Sequence, residues 1–400
     1  MRLTFTLLFS LIACASFSQD TWIQRDTING AARANAATFV LEDDGYIITG
    51  YDGFGKKKSS VSYDIDQDDW DSELSLGGQT GDGLNRSSAV GFTSGLYGYI
   101  SLGEGTGFMF KDLWQYDRYN EVWTQMADFG GESRTQAVVF EIDDTAYVGL
   151  GKGADLSTFY DDFWKYDPGS NSWSEIASFP GTARVDAVAT DMIGKGYVGL
   201  GYDGSSYPTD FYQYYPTTNS WTAIASFPGA ARINAVSFSV FPQLYVTTGD
   251  DGFNYLNDTW EYNYFGDVWT QRANFAGEGR SGASAFVIEN RPFVGGGFSS
   301  GVYYDDFYEY TVLLSNEEPL FESIKLYPNP SADKIYIELT ELNENVSVKL
   351  FSLNGQEVPI SSSFVSNKIE IDLSNYEAGT YFIGIYKENE LQEFKQIVHT

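Results

Sequence analysis

Apolar and polar positions alternate in short runs from about residue 20 to residue 312. A period of two marks half-buried β-strands, and Gly, Pro, Asp and Asn between the runs mark tight turns. The stretch after Arg134 shows the unit. The pattern predicts strand a from Thr135 to Ile142, a turn at Asp143-Asp144, and strand b from Thr145 to Leu150. A Gly-rich loop follows from Gly151 to Asp161. Strand c is expected from Asp162 to Asp167, a turn at Pro168-Gly169-Ser170-Asn171, and strand d from Ser172 to Ile176.

This unit recurs. An Arg opens it at Arg33, Arg86, Arg134, Arg184, Arg232 and Arg280, at spacings of 48 to 53 residues. A Tyr stands seven residues before a Trp at Tyr63/Trp70, Tyr116/Trp123, Tyr166/Trp173, Tyr214/Trp221 and Tyr262/Trp269. Four antiparallel strands repeated around an axis make a β-propeller, and six Arg predict six blades. The sixth unit has Tyr310 but no Trp seven residues on, whereas Trp22 precedes Arg33 by the 11 residues that separate Trp from Arg in most other units. The Trp22 strand is therefore expected to be strand d of blade 6. That pairing closes the ring and hides an open sheet edge.

The Arg at the head of each repeat, the Gly-containing end of strand b (Tyr147-Val148-Gly149-Leu150-Gly151) and the run from Tyr166 to Trp173 resemble the kelch family over about residues 20 to 312. The resemblance implies a propeller that serves mostly as a binding scaffold. The copper oxidases among kelch-like propellers need His and a Cys-linked Tyr, which this stretch lacks.

The repeat ends near Val312, and residues 313–323 read as a linker. Period-two strands then return over Lys334 to Leu339, Val346 to Leu353, Lys368 to Leu373, Thr380 to Lys387 and Leu391 to Val398. Seven or so strands in so short a length suggest a small β-sandwich. Tyr327-Pro328-Asn329-Pro330, Leu353-Asn354-Gly355-Gln356 and Ala378-Gly379-Thr380-Tyr381 resemble a type IX secretion (type A) sorting domain. The resemblance implies a signal read by an outer-membrane translocon of Bacteroidetes-type bacteria, followed by release or surface attachment. The fold class is thus all-β: a six-bladed kelch-type β-propeller at 19–312, then a C-terminal β-sandwich at 324–400.

The first residues read as a targeting segment. Arg2 precedes an apolar run from Leu3 to Ala15, too short to span a membrane. Small residues at Ser16 and Ser18 place signal-peptidase cleavage after Ser18, giving a signal peptide at 1–18. Leu11-Ile12-Ala13-Cys14 also resembles a lipobox. No later run is long enough for a membrane helix.

Composition narrows the chemistry. The 400 residues carry 24 Lys+Arg against 55 Asp+Glu, a formal net charge of −31. Such a chain has no basic face for nucleic acid or anionic lipid. Cys14 and His399 are the only Cys and His. An intrachain disulfide, imidazole or thiolate metal sites, His-based triads and Cys nucleophiles are excluded; no cofactor is expected, and the one metal reading left is calcium held by carboxylates.

Candidate site residues follow from the repeat. Six Arg at the starts of strand a suggest a ring at the channel mouth, either bonded to neighbouring carbonyls or free for a carboxylate or phosphate. Arg134 and Arg184 are the leading candidates for a free pair. Two residues beyond each Arg the side chains vary: Asn35, Ser88, Gln136, Asp186, Asn234 and Gly282. Of these, Asn35, Gln136, Asp186 and Asn234 are candidates for specificity. Asp112, Asp162, Asp210, Asp258 and Asp306, four before the repeat Tyr, read as turn caps or as calcium ligands. The b–c loops carry many aromatics, among them Phe54, Phe108, Phe159, Tyr202, Phe253 and Tyr303, suited to sugar stacking or protein contact. The expected function is a secreted or surface-displayed module that recognises a glycan or a protein. The alternative is a carboxylate-dependent enzyme, a lyase, epimerase or glycosidase, acting on an acidic sugar at an Arg-lined channel.

Overall fold

The computed structural model describes residues 20–28, 32–78, 84–264, 266–311, 324–331, 333–339, 346–352, 357–360, 362–365, 368–387 and 390–400. The targeting segment, the linker and most of the long Gly77 to Gly83 loop lie outside the described residues. Six four-stranded antiparallel sheets make the propeller. Strands a to d are Ala37–Leu41, Asp44–Ile48, Ser60–Asp64 and Asp69–Glu73 in blade 1, and Val90–Ser94, Tyr97–Ser101, Leu113–Asp117 and Val122–Gln125 in blade 2. Blade 3 has Val138–Ile142, Thr145–Gly149, Phe163–Asp167 and Ser172–Ile176; blade 4 has Val188–Met192, Lys195–Gly199, Phe211–Tyr215 and Ser220–Ile224. Blade 5 has Val236–Val240, Gln243–Thr247, Thr259–Asn263 and Val268–Arg272. Blade 6 combines Ser284–Ile288, Arg291–Gly295 and Phe307–Thr311 with Thr21–Arg25. Trp22 lies opposite Tyr310, so the two ends of the propeller segment close the ring as the repeat arithmetic predicts.

Strand a alternates between a buried face and an axial one. In blade 1, Ala37, Phe39 and Leu41 are buried between blades, while Thr38 and Val40 line the axial cavity. The strand-a Phe stacks on the cross-strand aromatic of strand b, Phe39 on Tyr46 at 4.9 Å and Phe140 on Tyr147 at 5.1 Å between centroids. The same Phe presses on a small residue of the next blade. A Cβ on Gly196 would lie 2.3 Å from the Phe140 ring, so only glycine lets blades 3 and 4 meet this closely.

The repeat Trp latches each blade to the one before. Its indole N–H donates to a main-chain carbonyl at the end of the preceding strand d: Trp123 to Leu74, Trp173 to Ala127, Trp221 to Ala177 and Trp269 to Ala225. Trp70 donates to Asp26, and Trp22 to Ala273, so the latch runs all the way round. The repeat Tyr hydroxyl bonds the residue at the c–d turn, as in Tyr166 to Asn171 and Tyr214 to Asn219, both at 2.9 Å. Both repeat aromatics are therefore architectural.

The C-terminal domain is a sandwich of two sheets. One holds Ile324–Tyr327, Lys334–Leu339, Ser362–Val365 and Lys368–Asp372; the other holds Val346–Ser352, Glu357–Val358, Gly379–Lys387 and Glu390–His399. Ile335, Ile337, Leu350, Ile369, Ile371, Ile383, Ile385 and Ile397 fill the space between. Among the described residues, no helix is long and apolar enough to cross a membrane.

Candidate functional site

The d–a and b–c connections share one face, because the residue after each repeat Arg pairs with the first residues of the b–c loop. Ala34 pairs with Tyr51, Ser87 with Glu104, Val185 with Tyr202, and Ile233 with Asp250.

The arginines do not form an open ring there. All six are buried. Five turn into their own blades and meet the Asp four residues before the repeat Tyr in a bidentate fork. Arg86 meets Asp112 at 2.6 and 2.8 Å, Arg184 meets Asp210 at 2.6 and 3.1 Å, and Arg232 meets Asp258 at 2.7 and 2.8 Å. Arg134 with Asp162 and Arg280 with Asp306 do the same. The remaining donors reach carbonyls: Arg184 Nε to Thr182 and Nη1 to Leu200. A cation withdrawn from water needs a counter-ion and filled hydrogen bonds, and the repeat supplies both. Arg134 and Arg184 are thus not a free pair. The ligand-binding reading of the arginines gives way to a structural one, and the aspartates are their counter-ions. A Cβ on Gly181 would lie 2.6 Å from Arg184 Nη2, which accounts for the glycine of the d–a loop.

Arg33 differs. Ser59 stands where the other blades carry Asp, and Arg33 Nη1 donates to the carbonyls of Thr49 and Ser59. Burial pushes this guanidinium down to about 10, against the opposing pull of Asp52.

The residues two beyond each Arg do converge. Asn35, Ser88, Gln136, Asp186, Asn234 and Gly282 all have φ between 49° and 63°. The N–H of each donates to the carbonyl of its counterpart in the preceding blade. Asn35 bonds Gly282, Ser88 bonds Asn35, Gln136 bonds Ser88, Asp186 bonds Gln136, Asn234 bonds Asp186, and Gly282 bonds Asn234, at 2.8 to 3.3 Å. Six hydrogen bonds close a circle of main chain about the axis. The left-handed conformation explains part of the composition, because Asn, Asp and Gly adopt it most readily. The sequence showed the positions but not this conformational cause. Within the circle, Gln136 Nε2 donates to Asp186 Oδ2 at 2.5 Å, and Gln136 Oε1 is buried without a hydrogen-bond partner. Burial pushes the Asp186 carboxyl up to about 7, more than the Gln136 bond and Lys152 pull it down.

Below the circle, strand a of all six blades lines a cavity of about 500 Å³, beginning at Ala36, Ala89, Ala137, Ala187, Ala235 and Ala283. Two acids on neighbouring blades line it, and neither stood out in the sequence. Burial raises Glu141 to about 8, although it accepts the Thr93 N–H at 3.0 Å, and Asp191 adds to the rise. Burial raises Asp191 to about 7. Strand alternation marks both as axial, but only once strand a is known to face the axis.

Around the circle stand the b–c loops. Four tips are pinned by an Asp carboxylate that accepts two successive main-chain N–H groups. Asp52 takes those of Phe54 and Gly55, Asp155 those of Ser157 and Thr158, Asp203 those of Ser205 and Ser206, and Asp251 those of Phe253 and Asn254. The Thr158 hydroxyl, which also donates to Asp155, and these two N–H groups hold Asp155 down at about 2. Five of the six loops display an exposed apolar side chain: Phe54, Phe108, Leu156, Phe253 and Val302, at 49 to 97% exposure. Other loop aromatics are spent on packing. Phe110 lies over Arg86 and Tyr160 over Arg134, while Tyr51 meets Tyr303, and Phe159 meets Tyr202, across blade boundaries.

Comparison with known proteins adds two findings. Residues 325–399 match the family model of the secretion system C-terminal sorting domain. That domain marks the chain for export, with secretion or attachment to the cell surface, in Bacteroidetes-type bacteria. The propeller has the fold of YjhT, a kelch-type propeller of solved structure. The two align with a TM-score of 0.61 at 16% identity, over 72% of this chain and 97% of YjhT. At that identity the likeness concerns the fold alone. A comparison with curated proteins returns no match.

Proposed function

We propose that the propeller is an exported binding module that recognises a glycan or a protein through its loop face, after signal-peptide removal at Ser18. The observation that carries this reading is the crown of apolar tips. Phe54 and Phe253 are almost wholly exposed, yet the loops that bear them are held by paired hydrogen bonds to Asp52 and Asp251. Rigidly displayed apolar side chains around a polar floor are what a binding face requires, since little ordering is lost when a partner covers them. The floor is the circle with Asn35, Gln136, Asp186 and Asn234. The test is a glycan array, paired with a capture screen against extracellular proteins, using the intact protein and a Phe54→Ser, Phe253→Ser double variant. Specific binding lost in the double variant supports the reading. Binding unchanged in the variant, or no ligand at all, refutes it.

A second reading has one observation behind it. Glu141 and Asp191 share a cavity and hold their protons near neutral pH, as a general acid must. Carboxylate-dependent catalysis would therefore sit in the cavity, with no arginine lining it. Turnover of an acidic sugar that Glu141→Gln abolishes would establish it.

A further inference from the structure

The face opposite the loops carries the a–b turns, and these differ in chemistry from blade to blade. Glu42-Asp43, Asp143-Asp144 and Glu289-Asn290 are acidic or polar in blades 1, 3 and 6. Ile193-Gly194 and Phe241-Pro242 are apolar in blades 4 and 5. The sorting domain rests on these two blades. Phe351 and Phe382 face each other on neighbouring strands of its second sheet. Their chain neighbours Leu350 and Ile383 fill the sandwich core, so the two phenylalanines lie on the outer face of that sheet. There they meet Phe241, at 5.9 and 5.3 Å between ring centroids. All three rings are 5% exposed and belong to one buried cluster with Met192, Tyr197 and Leu244 of blades 4 and 5, against which Ile193 and Tyr264 also pack. Lys195 Nζ donates to the Tyr264 hydroxyl at 2.6 Å beside it.

An outer sheet face normally meets water. Two aromatic rings on it, covered by the only neighbouring pair of apolar a–b turns, mark an interface rather than a chance approach. We propose that blades 4 and 5 are a dock for the sorting domain, so that cutting the connecting chain does not by itself free the propeller from its export signal. This rests on the reading of residues 324–400 as that signal. Release at the cell surface then has two steps, cleavage of the linker and undocking of Phe351 and Phe382. While the chain is intact, tethering keeps the domain at an effective concentration of about millimolar, so even a modest contact stays formed.

The test uses the full chain with a specific protease site inserted between the domains. After complete cutting, the two pieces are passed over a sizing column at about 10 µM. The dock predicts that they travel together. Phe241→Ser on the propeller, or Phe351→Ser on the sorting domain, should weaken the contact about tenfold or more and separate them. Leu96→Ser, on the blade 2 turn of the same face, should not. Phe351 lies outside the sandwich core, so its variant decides the matter even if Phe241→Ser fails to fold. Pieces that separate in the unaltered protein, or that stay together in both variants, would overturn the dock. Export is scored separately: an undocked protein that still reaches the surface leaves the sorting reading intact.

Discussion

Blades 2 to 5 form an arc of unbroken chain, whereas blades 6 and 1 meet at a seam, and the same repeat is held differently in each. In the arc, strand d follows strand c through a short turn, and every repeat Arg has its Asp. At the seam, strand d of blade 6 comes from the other end of the propeller segment. It is held by five paired residues, by Trp22 on Ala273, and by Glu309, which takes both Arg25 and Arg291. Blade 1, on the other side of the seam, keeps its Arg but has Ser59 in place of the carboxylate. The repeat sets where side chains go, while charge pairing varies with what each joint needs.

The largest expected effect lies at the seam. Deleting residues 19–26 removes a strand, two inter-blade latches (Trp22 on Ala273 and Trp70 on Asp26) and one of two arginines on Glu309. Losing Trp22 alone is the kind of change that costs about 3 kcal/mol or more. The deletion should lower the melting temperature by about 10 °C, through an opened ring with an exposed strand edge. An unchanged melting curve would mean that the arc stands without closure.

The next effect sets the arc against blade 1. Asp162→Ala leaves Arg134 buried without its carboxylate and should cost about 3 kcal/mol in chemical denaturation. Ser59→Ala removes a hydroxyl where the partner of Arg33 is a main-chain carbonyl, and should cost less than about 0.5 kcal/mol. Equal losses would erase the distinction between the two kinds of Arg site.

Acid should find the seam first. Burial pushes the Glu309 carboxyl up, but hydrogen bonds from Arg291 and Arg25 outweigh it and hold the group below its ordinary value. A depressed carboxyl stabilises the fold above its unfolded value, near pH 4, and that contribution fades as pH falls through the depressed folded value. Hydrogen exchange at Thr21–Arg25 should therefore accelerate on acidification before exchange at Ser220–Ile224, the covalently continuous strand d of blade 4. Glu309→Gln should cost about 2 kcal/mol at neutral pH and remove most of that acid response. Uniform exchange across both strands would sink this.

The sequence carried the blade count, the closing strand and the repeat aromatics, because each repeats at fixed spacing and one unit can be checked against another. The function of the arginines was only half legible. Their recurrence argued for structure, but the partner Asp lies 26 or 28 residues away along the chain, across a loop of variable length. Spacing alone does not reveal a bond across such a loop. Glu141 and Asp191 were illegible for the opposite reason. They occur in single blades, so no repetition singles them out, and their meaning depends on which edge of the blade faces the axis. The exposure of Phe54 and the burial of Phe110 likewise follow from loop geometry that composition does not encode.

The smallest effect would restore to blade 1 what the arc has. Ser59 stands 26 residues after Arg33, as Asp112 does after Arg86, so Ser59→Asp places a carboxylate where the repeat geometry forms a fork. Burial now pushes Arg33 down to about 10, against the opposing pull of Asp52, and no carboxylate forks its guanidinium as Asp112 forks Arg86 among the hydrogen bonds described above. A direct carboxylate partner offsets much of the burial penalty but brings its own desolvation, and the Arg33 Nη1 group already has two carbonyls. The net gain should be about 1 kcal/mol, or about 2 °C in melting temperature. It should appear at neutral pH and vanish below about pH 4, where the new carboxylate takes up its proton. A variant no more stable than the parent would show that blade 1 is already balanced. The serine would then be the better partner for Arg33, and the seam would owe its weakness to the chain break alone.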